Sequence, residues 1–161
     1  MGKFTIEERC AVPRDRLYPW YTDFSGEDAQ IMARYGTGSL LERRVEKLDD
    51  RRFVLRQRMK VMGRTIPATI RIEKDPEAFA YDAHLEFGAL ASQDRRYTFL
   101  EEAGGTLLRM EVEYAPIARS VRFLDAIGFL RRLDMKESRA TTVGYLRAAE
   151  AELLPPAAPR S

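Results

Sequence analysis

The sequence has very little cysteine and histidine, with one residue of each among its 161. The single cysteine, Cys10, cannot form an internal disulfide and leaves no cysteine cluster for zinc. The single histidine, His84, excludes an HExxH metal site, and the chain contains neither a GxSxG motif nor a phosphate-binding GxxxxGK[ST] loop. We therefore expect no metal and no cofactor, and no activated nucleophile of a familiar kind.

Long apolar runs and an excess of one charge are also missing. No apolar run approaches the ~20 residues of a membrane-spanning helix, and the N-terminus enters an alternating pattern without the apolar segment of a secretory signal. The 27 basic and 25 acidic residues give a formal net charge of +2, which does not predict the concentrated basic face of nucleic-acid-binding proteins. We expect a cytoplasmic protein that does not bind nucleic acid.

Most of the chain alternates polar and apolar residues with the period of a β-strand. Turn-forming residues such as Asp49-Asp50, Asp75-Pro76 and Gly104-Gly105 separate the segments. The predicted strands span residues 3–12, 39–48, 52–62, 65–74, 78–87, 93–101 and 106–115. Short connections predict an antiparallel meander with one apolar face, which needs a cover.

Helices occupy the two remaining parts of the sequence. Pro13 begins a short helix over RDRLYPWYTDF, which Pro19 interrupts, and Ser25 or Gly26 caps a second one over EDAQIMARY. Residues 119–154 contain no proline and repeat apolar residues at helical spacing, so that a long C-terminal helix covers the sheet. The sequence predicts one α+β domain over residues 3–154 and a disordered tail over 155–161.

The order of one strand, two short helices, a six-stranded meander and a long C-terminal helix resembles that of the START/Bet v 1-like (SRPBCC) superfamily. The residues that carry the resemblance are AVPRDRLYPWYTDF after the first strand, the Gly104-Gly105-Thr106 turn and the closing helix. More narrowly, the chain looks like the branch of polyketide cyclase/dehydrase or lipid-transport proteins. The glycine-rich loop of the plant members has no counterpart, because the turn at that position is Asp49-Asp50-Arg51.

The resemblance implies a helix-grip fold, in which a curved seven-stranded antiparallel sheet wraps the C-terminal helix around a cavity. Across the superfamily the ligands are sterols, phospholipids, quinones, polyketides and plant hormones. Some members are aromatase/cyclases and many only bind or carry, so the fold leaves the function open.

Polar residues on the predicted apolar face are the main candidates for a site. Glu8, Arg43 and Gln57 each lie between apolar residues, and Arg43 shares its strand face with Leu41 and Val45. A buried charge is costly unless it is paired. In the superfamily the first two strands are neighbours, which implies that Glu8 faces Arg43. In the functional interpretation Arg43 and Gln57 bind an acidic or carbonyl end of the ligand, assisted by a hydroxyl of Tyr81, Tyr97 or Tyr114. In the structural alternative a bulge in the second strand turns Arg43 to solvent and leaves Glu8 near the edge.

Aromatic and methionine side chains share that face and are candidates to line the cavity, or to fill it as a solid core. They are Met59, Tyr81, Phe87, Tyr97, Phe99, Met110 and Tyr114. Strand alternation places His84 on the outer face, and it places Cys10 on the inner face with no histidine to activate it.

Three functions remain open. The first, which we favour, is a carrier or sensor, monomeric or homodimeric, that binds an apolar small molecule or lipid. The second is a cyclase, aromatase or dehydratase, in which Arg43 polarises a carbonyl, a tyrosine donates a proton and Glu8 is the base. The third is a ligand-free interaction module with an exposed apolar patch on the last helix.

The segment from Val121 to Leu133 is a candidate surface for contact with a membrane or a second copy of the chain. Its apolar residues, Phe123 and Ile127 among them, adjoin Arg131 and Arg132. The segment can rest transiently on an anionic bilayer, pack into the core, or contact a second copy of the chain.

Overall fold

The computed structural model describes residues 2–24, 27–36, 38–126 and 128–156. In these ranges the strands are β1 (Gly2–Cys10), β2 (Leu40–Lys47), β3 (Arg52–Val61), β4 (Arg64–Asp75), β5 (Ala80–Phe87), β6 (Ala91–Glu102) and β7 (Gly105–Pro116). The helices are α1 (Arg14–Tyr21), α2 (Asp28–Tyr35), α3 (Arg119–Ala126) and α4 (Phe129–Leu153), and a short 3-10 helix spans Pro76–Ala78. The seven strands form one antiparallel sheet in the order β1-β7-β6-β5-β4-β3-β2. The predicted helix-grip α+β fold is confirmed. The proposed caps Ser25 and Gly26, and the tail from residue 157 onward, lie outside the described residues.

The predicted C-terminal helix is divided at Gly128, whose φ of 71° is the left-handed conformation that favours glycine. Its longer part, α4, lies across the inner face of the sheet and is tied to the N-terminal region at its far end. There Glu150 accepts a hydrogen bond from the Ala11 backbone N–H at 2.9 Å, and Glu152 accepts one from the Trp20 indole at 2.9 Å. These contacts fix α4 as the cover of the sheet.

The core follows the predicted alternation in β3, β4, β5 and β7. One cluster lies between the sheet, α1 and α4 and includes Leu17, Leu55 and Phe99, all nearly inaccessible to solvent. A second cluster joins β1 and β7 through Phe4, Ile6, Met110, Val112 and Tyr114.

Strand β2 departs from the prediction that Leu41, Arg43 and Val45 share the inner face. The pairing of β2 with β3 shifts register between Leu40 and Glu42, so that Leu40 is buried and Leu41 is exposed. Val45 is exposed as well, because β2 is an edge strand. The bulge predicted in the structural alternative is therefore present, but it turns Leu41 outward and leaves Arg43 directed inward.

The expectation that Glu8 faces Arg43 is wrong. Strands β1 and β2 lie at opposite ends of the sheet order, with five strands between them. Glu8, on the edge strand β1, pairs instead with Arg139 of α4. Glu8 is therefore near an edge, as the structural alternative proposed, whereas Arg43 is not turned to solvent.

Candidate functional site

Arg43 lies in a polar cluster beneath α2 and α4. Its side chain is 10% exposed and forms an ion pair with Asp28 of α2, which is 8% exposed. Two of its guanidinium nitrogens donate to the side-chain oxygen of Gln57 on β3, at 3.0 and 3.1 Å, and a third donates to the Tyr145 hydroxyl of α4 at 3.4 Å. One sheet residue and two helices thus converge on a single buried guanidinium.

Arg95 of β6 forms a second cluster of the same composition. Its guanidinium donates to Gln93 at 2.9 Å, to Asp134 of α4 at 3.3 Å and to the Tyr97 hydroxyl at 3.4 Å. Asp134 also accepts a hydrogen bond from the Gln93 amide at 2.8 Å. Each buried arginine therefore meets one aspartate, one glutamine and one tyrosine hydroxyl.

Tyrosine rings connect the two clusters. Tyr145 of the first cluster packs on Tyr21 with 5.4 Å between ring centroids, and Tyr21 packs on Tyr81 at 6.5 Å. Tyr81 stacks on Tyr97 of the second cluster at 4.3 Å, with an angle of 11° between the ring planes. Phe99 lies beside this row, with its centroid 5.3 Å from that of Tyr21. The interior is thus an aromatic layer with a guanidinium at either end.

The electrostatics of the layer are set by burial. Burial raises the pKa of Tyr21 and Tyr81 well above the ordinary value, and the neighbouring tyrosines add to the effect. These hydroxyls therefore stay protonated and can donate hydrogen bonds. Burial also raises the pKa of Asp28, although the Arg43 guanidinium opposes this effect.

Both guanidinium groups stay charged in this setting. Burial alone lowers the pKa of Arg43, but the neighbouring Tyr145 and Asp28 outweigh it, and the pKa lies above the ordinary value. Arg95 shows the same balance, with Tyr97 and Asp134 as the opposing groups. Two fixed positive charges inside an apolar domain are the kind of perturbed, clustered groups that mark functional sites.

The structure brings most of the predicted site residues together. Arg43, Gln57 and Met59 form one contact group, since the Gln57 amide lies 3.0 Å from the Met59 sulfur. Tyr81, Tyr97 and Phe99 form the aromatic layer, and Phe87 packs against the same cluster.

The other predicted residues lie elsewhere. Met110 and Tyr114 belong to the cluster between β1 and β7, which Tyr97 adjoins. Glu8 lies at the sheet edge with Arg139, so it does not belong to the site. His84 faces outward beside Asp94, as predicted.

Sequence reasoning missed Arg95, Gln93, Asp28, Asp134 and Tyr145. The first two have a signal, because they share strand parity with Tyr97 and Phe99, which were predicted to face inward. The other three come from helices, and the local sequence pattern does not predict which helix residues contact the sheet. Among the described residues no group of histidine, cysteine and carboxylate side chains is arranged to hold a metal ion, and no helix is long and apolar enough to cross a membrane.

An open groove of about 820 Å³ lies on the opposite, charged face of the sheet. Cross-strand ion pairs such as Arg96–Asp82 and Arg71–Glu86 flank it. The groove is therefore distinct from the aromatic layer, whose rings occupy the space between the sheet and α4.

Solved structures with the same fold cover nearly the whole chain. TTHA0849 from Thermus thermophilus superposes with a TM-score of 0.78 at 17% identity, covering 94% of this chain and 99% of that one. The Zhui aromatase/cyclase from Streptomyces sp. R1128 gives 0.79 at 16% identity, with 94% and 95% covered. A START superfamily protein from Mycobacterium smegmatis gives 0.58 at 12% identity, with 87% and 97% covered. No protein-family model and no curated protein matches the sequence.

Proposed function

Starting from a START/Bet v 1-like (SRPBCC) fold with two buried arginine clusters, we propose that this chain binds a bulky, partly apolar small molecule between the sheet and α4. It acts as a carrier or sensor of that molecule. The observation that carries the proposal is the aromatic layer with Arg43 at one end and Arg95 at the other. The arginines recognise acidic or carbonyl oxygens of the ligand, and the rings recognise its apolar body.

Stability alone does not explain this arrangement. A buried ion pair loses so much hydration that well-packed apolar residues of similar volume are often equally or more stabilising. The domain nevertheless keeps two largely buried pairs, Arg43–Asp28 at 10% and 8% exposure and Arg95–Asp134 at 13% and 20%, each with additional hydrogen bonds. Recognition of ligand oxygens explains why buried arginines are kept, because a guanidinium offers a planar set of hydrogen-bond donors.

The rings favour flat ligands. Aromatic side chains prefer offset-stacked and edge-to-face contacts with other rings, and the row Tyr145, Tyr21, Tyr81 and Tyr97 already uses both tilted and stacked geometries. A fused or linked ring system can replace some of these contacts, whereas a single straight acyl chain cannot. Because these rings fill the space between the sheet and α4, binding requires some of their contacts to open, such as that between Tyr21 of α1 and Tyr145 of α4.

The first experiment is mass spectrometry of the purified protein, native and then after extraction with organic solvent. A stoichiometric aromatic molecule with at least one acidic or carbonyl oxygen supports the proposal. The proposed ligand class is contradicted if the bound molecule is a stoichiometric saturated lipid whose apolar end carries no acidic or carbonyl oxygen.

A pair of dyes separates the roles of arginines and rings. 1-Anilinonaphthalene-8-sulfonate carries an anionic group, and N-phenyl-1-naphthylamine is its neutral counterpart. Arg43→Met and Arg95→Met are expected to weaken binding of the sulfonate about tenfold or more and to leave the neutral dye nearly unchanged. Arg56→Met, on the exposed outer face of β3, is the matched control and is expected to change neither. Equal sulfonate binding by all four proteins would contradict the role of the arginines.

Asp28 supports a second candidate, a cyclase or dehydratase. Its carboxyl group has a raised pKa and lies beside Arg43 and Tyr145, so that base, charge stabiliser and hydroxyl donor are adjacent. The Zhui aromatase/cyclase shows that a chain of this fold can be an enzyme. In this candidate Asp28 replaces Glu8 as the base. Loss of water from a synthetic poly-β-ketone thioester, abolished in Asp28→Asn with dye binding retained, would support it.

A further inference from the structure

Helix α3 contributes little to the core of the domain. None of its residues is buried, and its main contacts are with β7 and α4. Of the three alternatives for this segment, packing into the core is therefore wrong for α3, because it lies on the outside of the fold. Phe123 is 69% exposed and Ile117, just before the helix, is 50% exposed. Core packing does not account for these large apolar side chains.

The exposed apolar residues gather around α3. The Ile117 backbone N–H donates to the Leu90 carbonyl at 2.9 Å, which joins the β5–β6 turn to the start of the helix. Phe129 is exposed at the start of α4, which packs against α3. We call this region the α3 surface; its apolar members are Leu90, Ile117, Phe123 and Phe129.

Positive charge surrounds the same residues. Arg119, Arg122 and Phe123 are three and four residues apart along α3 and are all exposed, so they lie on one helix face. Arg131 and Arg132 are exposed next to Phe129. The one carboxylate between residues 117 and 132 is Asp125, which hydrogen-bonds to Tyr114. The α3 surface therefore combines protruding apolar side chains with four arginines against a single acid.

We propose that the α3 surface docks on an anionic lipid bilayer. Phe123 and Ile117 enter the interface between headgroups and acyl chains, and the four arginines contact lipid phosphates. This goes beyond the proposed function, since it concerns a surface outside the site and needs no bound ligand.

The charges favour a bilayer over a second copy of the chain. In a twofold-symmetric dimer through this surface, the arginines of one copy would face those of the other, because an isologous interface uses the same patch twice. Repulsion between these groups opposes such a dimer. An anionic membrane offers the opposite charge over a continuous plane.

The position of the surface suits delivery of a ligand to the interior. Leu90 lies in the turn that leads into β6, and Arg95 is the fifth residue of that strand. The cluster around Arg95 also includes Asp134, near the start of α4. Along the chain, the Arg95 cluster is therefore the one that adjoins the α3 surface.

The test is flotation of the full chain with vesicles of phosphatidylcholine alone, and of phosphatidylcholine mixed with phosphatidylglycerol. We expect binding to the anionic vesicles only, decreasing as salt is added. Phe123→Ser/Ile117→Ser and Arg119→Glu/Arg122→Glu are each expected to weaken binding tenfold or more. Leu48→Ser/Met62→Ser, at exposed apolar residues of two turns, and Arg16→Glu/Arg147→Glu, at exposed arginines of α1 and α4, are the matched controls and are expected to bind like the wild type.

Three results would overturn the proposal. The wild type could fail to bind anionic vesicles. The α3 variants could bind as well as the controls while melting at the same temperature. Sedimentation without vesicles could show a dimer that Phe123→Ser/Ile117→Ser dissociates, which would assign the surface to self-association. If the wild type fails to bind anionic vesicles but is retained on an immobilised acidic protein, the proposal is also overturned, and the surface is assigned to a protein partner.

Discussion

Gly144 of α4 packs directly against Gly36 at the end of α2. A Cβ atom at position 144 would lie 2.9 Å from the Gly36 Cα atom and 3.0 Å from the Tyr35 carbonyl oxygen. Helix α2 carries Asp28 and α4 carries Tyr145, and both side chains contact Arg43. The close approach at Gly144 therefore sets the distance at which the two helices meet over the Arg43 cluster.

Gly144→Ala is expected to lower the free energy of unfolding. Alanine is the better helix former by about 1 kcal/mol, but forcing a methyl group into a filled contact costs about 1–3 kcal/mol. We expect the steric cost to exceed the helix gain and α2 to shift away from α4. Urea unfolding measures the change, and Arg147→Ala, at an exposed position of the same helix, is the control. A variant as stable as the wild type would show that the steric cost does not exceed the gain in helix propensity.

Asp28 gives a prediction about pH. Because burial raises its pKa, the folded chain binds this proton more readily than the unfolded chain does. The ionised carboxylate therefore opposes folding above the ordinary pKa of aspartate, and the opposition disappears as the pH falls through the raised pKa toward the ordinary one. Asp28→Asn carries no ionisable group and lacks this dependence.

We expect Asp28→Asn to be at least as stable as the wild type at pH 7, and the wild type to gain on the variant as the pH approaches 4. Chemical unfolding of both proteins across this range measures the difference, with Asp134→Asn as the comparison from the other cluster. A loss of several kcal/mol in Asp28→Asn at pH 7 would mean that attraction to Arg43 exceeds the cost of burial. The pKa of Asp28 would then lie below its ordinary value.

The fold was predictable because alternation is a local property. The rows of β3 and β4, from Phe53 to Val61 and from Ile66 to Ile72, could be assigned to the inner face from period two alone, and the turns between strands carry their own residue signals. The bulge in β2 could not be placed, because it depends on how Leu40 and Glu42 meet β3. Sheet order was also beyond the pattern, and the neighbouring first two strands implied by the resemblance wrongly set Glu8 opposite Arg43.

The site was predictable on its sheet side only. The alternation of side chains along a strand places Arg43 and Gln57 on the same face as apolar residues. Applied to β6, the same alternation places Arg95 on the face of Tyr97. The partners Asp28 and Tyr145 come from helices whose rotation and height over the sheet are set by tertiary packing, such as the approach at Gly144. A buried charge in a strand therefore predicts that a partner exists, but not which helix supplies it.

Cys10 is expected to be unreactive in the folded chain. It is buried beneath α4 with its sulfur 3.9 Å from the Leu146 carbonyl, and burial raises the pKa of the thiol to about 11 from an ordinary 9.0. Since the thiolate is the nucleophile, reaction with dithiobisnitrobenzoate at pH 8 should be slow until the chain unfolds. Fast stoichiometric modification without unfolding would show that the thiol is accessible.

The same thiol makes the fold sensitive to alkali. Between pH 9 and 11 the unfolded chain releases the Cys10 proton and the folded chain keeps it, so stability falls as the pH rises. We expect the wild type to lose about 1 kcal/mol more than Cys10→Ala by pH 10. Tyr18, whose pKa is raised to about 12 by burial, titrates above this range in the folded chain, and its unfolded form begins to contribute near pH 10. Tyr21 and Tyr81, whose pKa values are raised as well, begin to contribute in the same way, so the difference between the wild type and Cys10→Ala, measured from pH 8 to 10, isolates the thiol.

Gly105 begins β7 where it meets the end of β1, and its neighbour Gly104 provides a matched comparison. A Cβ atom at position 105 would collide with the Cys10 carbonyl oxygen, whereas one at position 104 would meet nothing within 4 Å. Gly104 instead has a φ of 82°, so alanine there suffers only the backbone strain of the left-handed region, about 1–2 kcal/mol.

We expect Gly105→Ala to cost about 3 kcal/mol, more than Gly104→Ala, because a backbone collision requires β1 and β7 to separate. Separation would also weaken the hydrogen bond from the Thr106 hydroxyl to the Val12 carbonyl, at 2.7 Å in a buried position. Urea unfolding ranks the two variants, and amide exchange of β1 locates the damage. Equal costs would mean that the edge strand moves aside for only about 1–2 kcal/mol, and that β1 is held mainly by its contacts with α4.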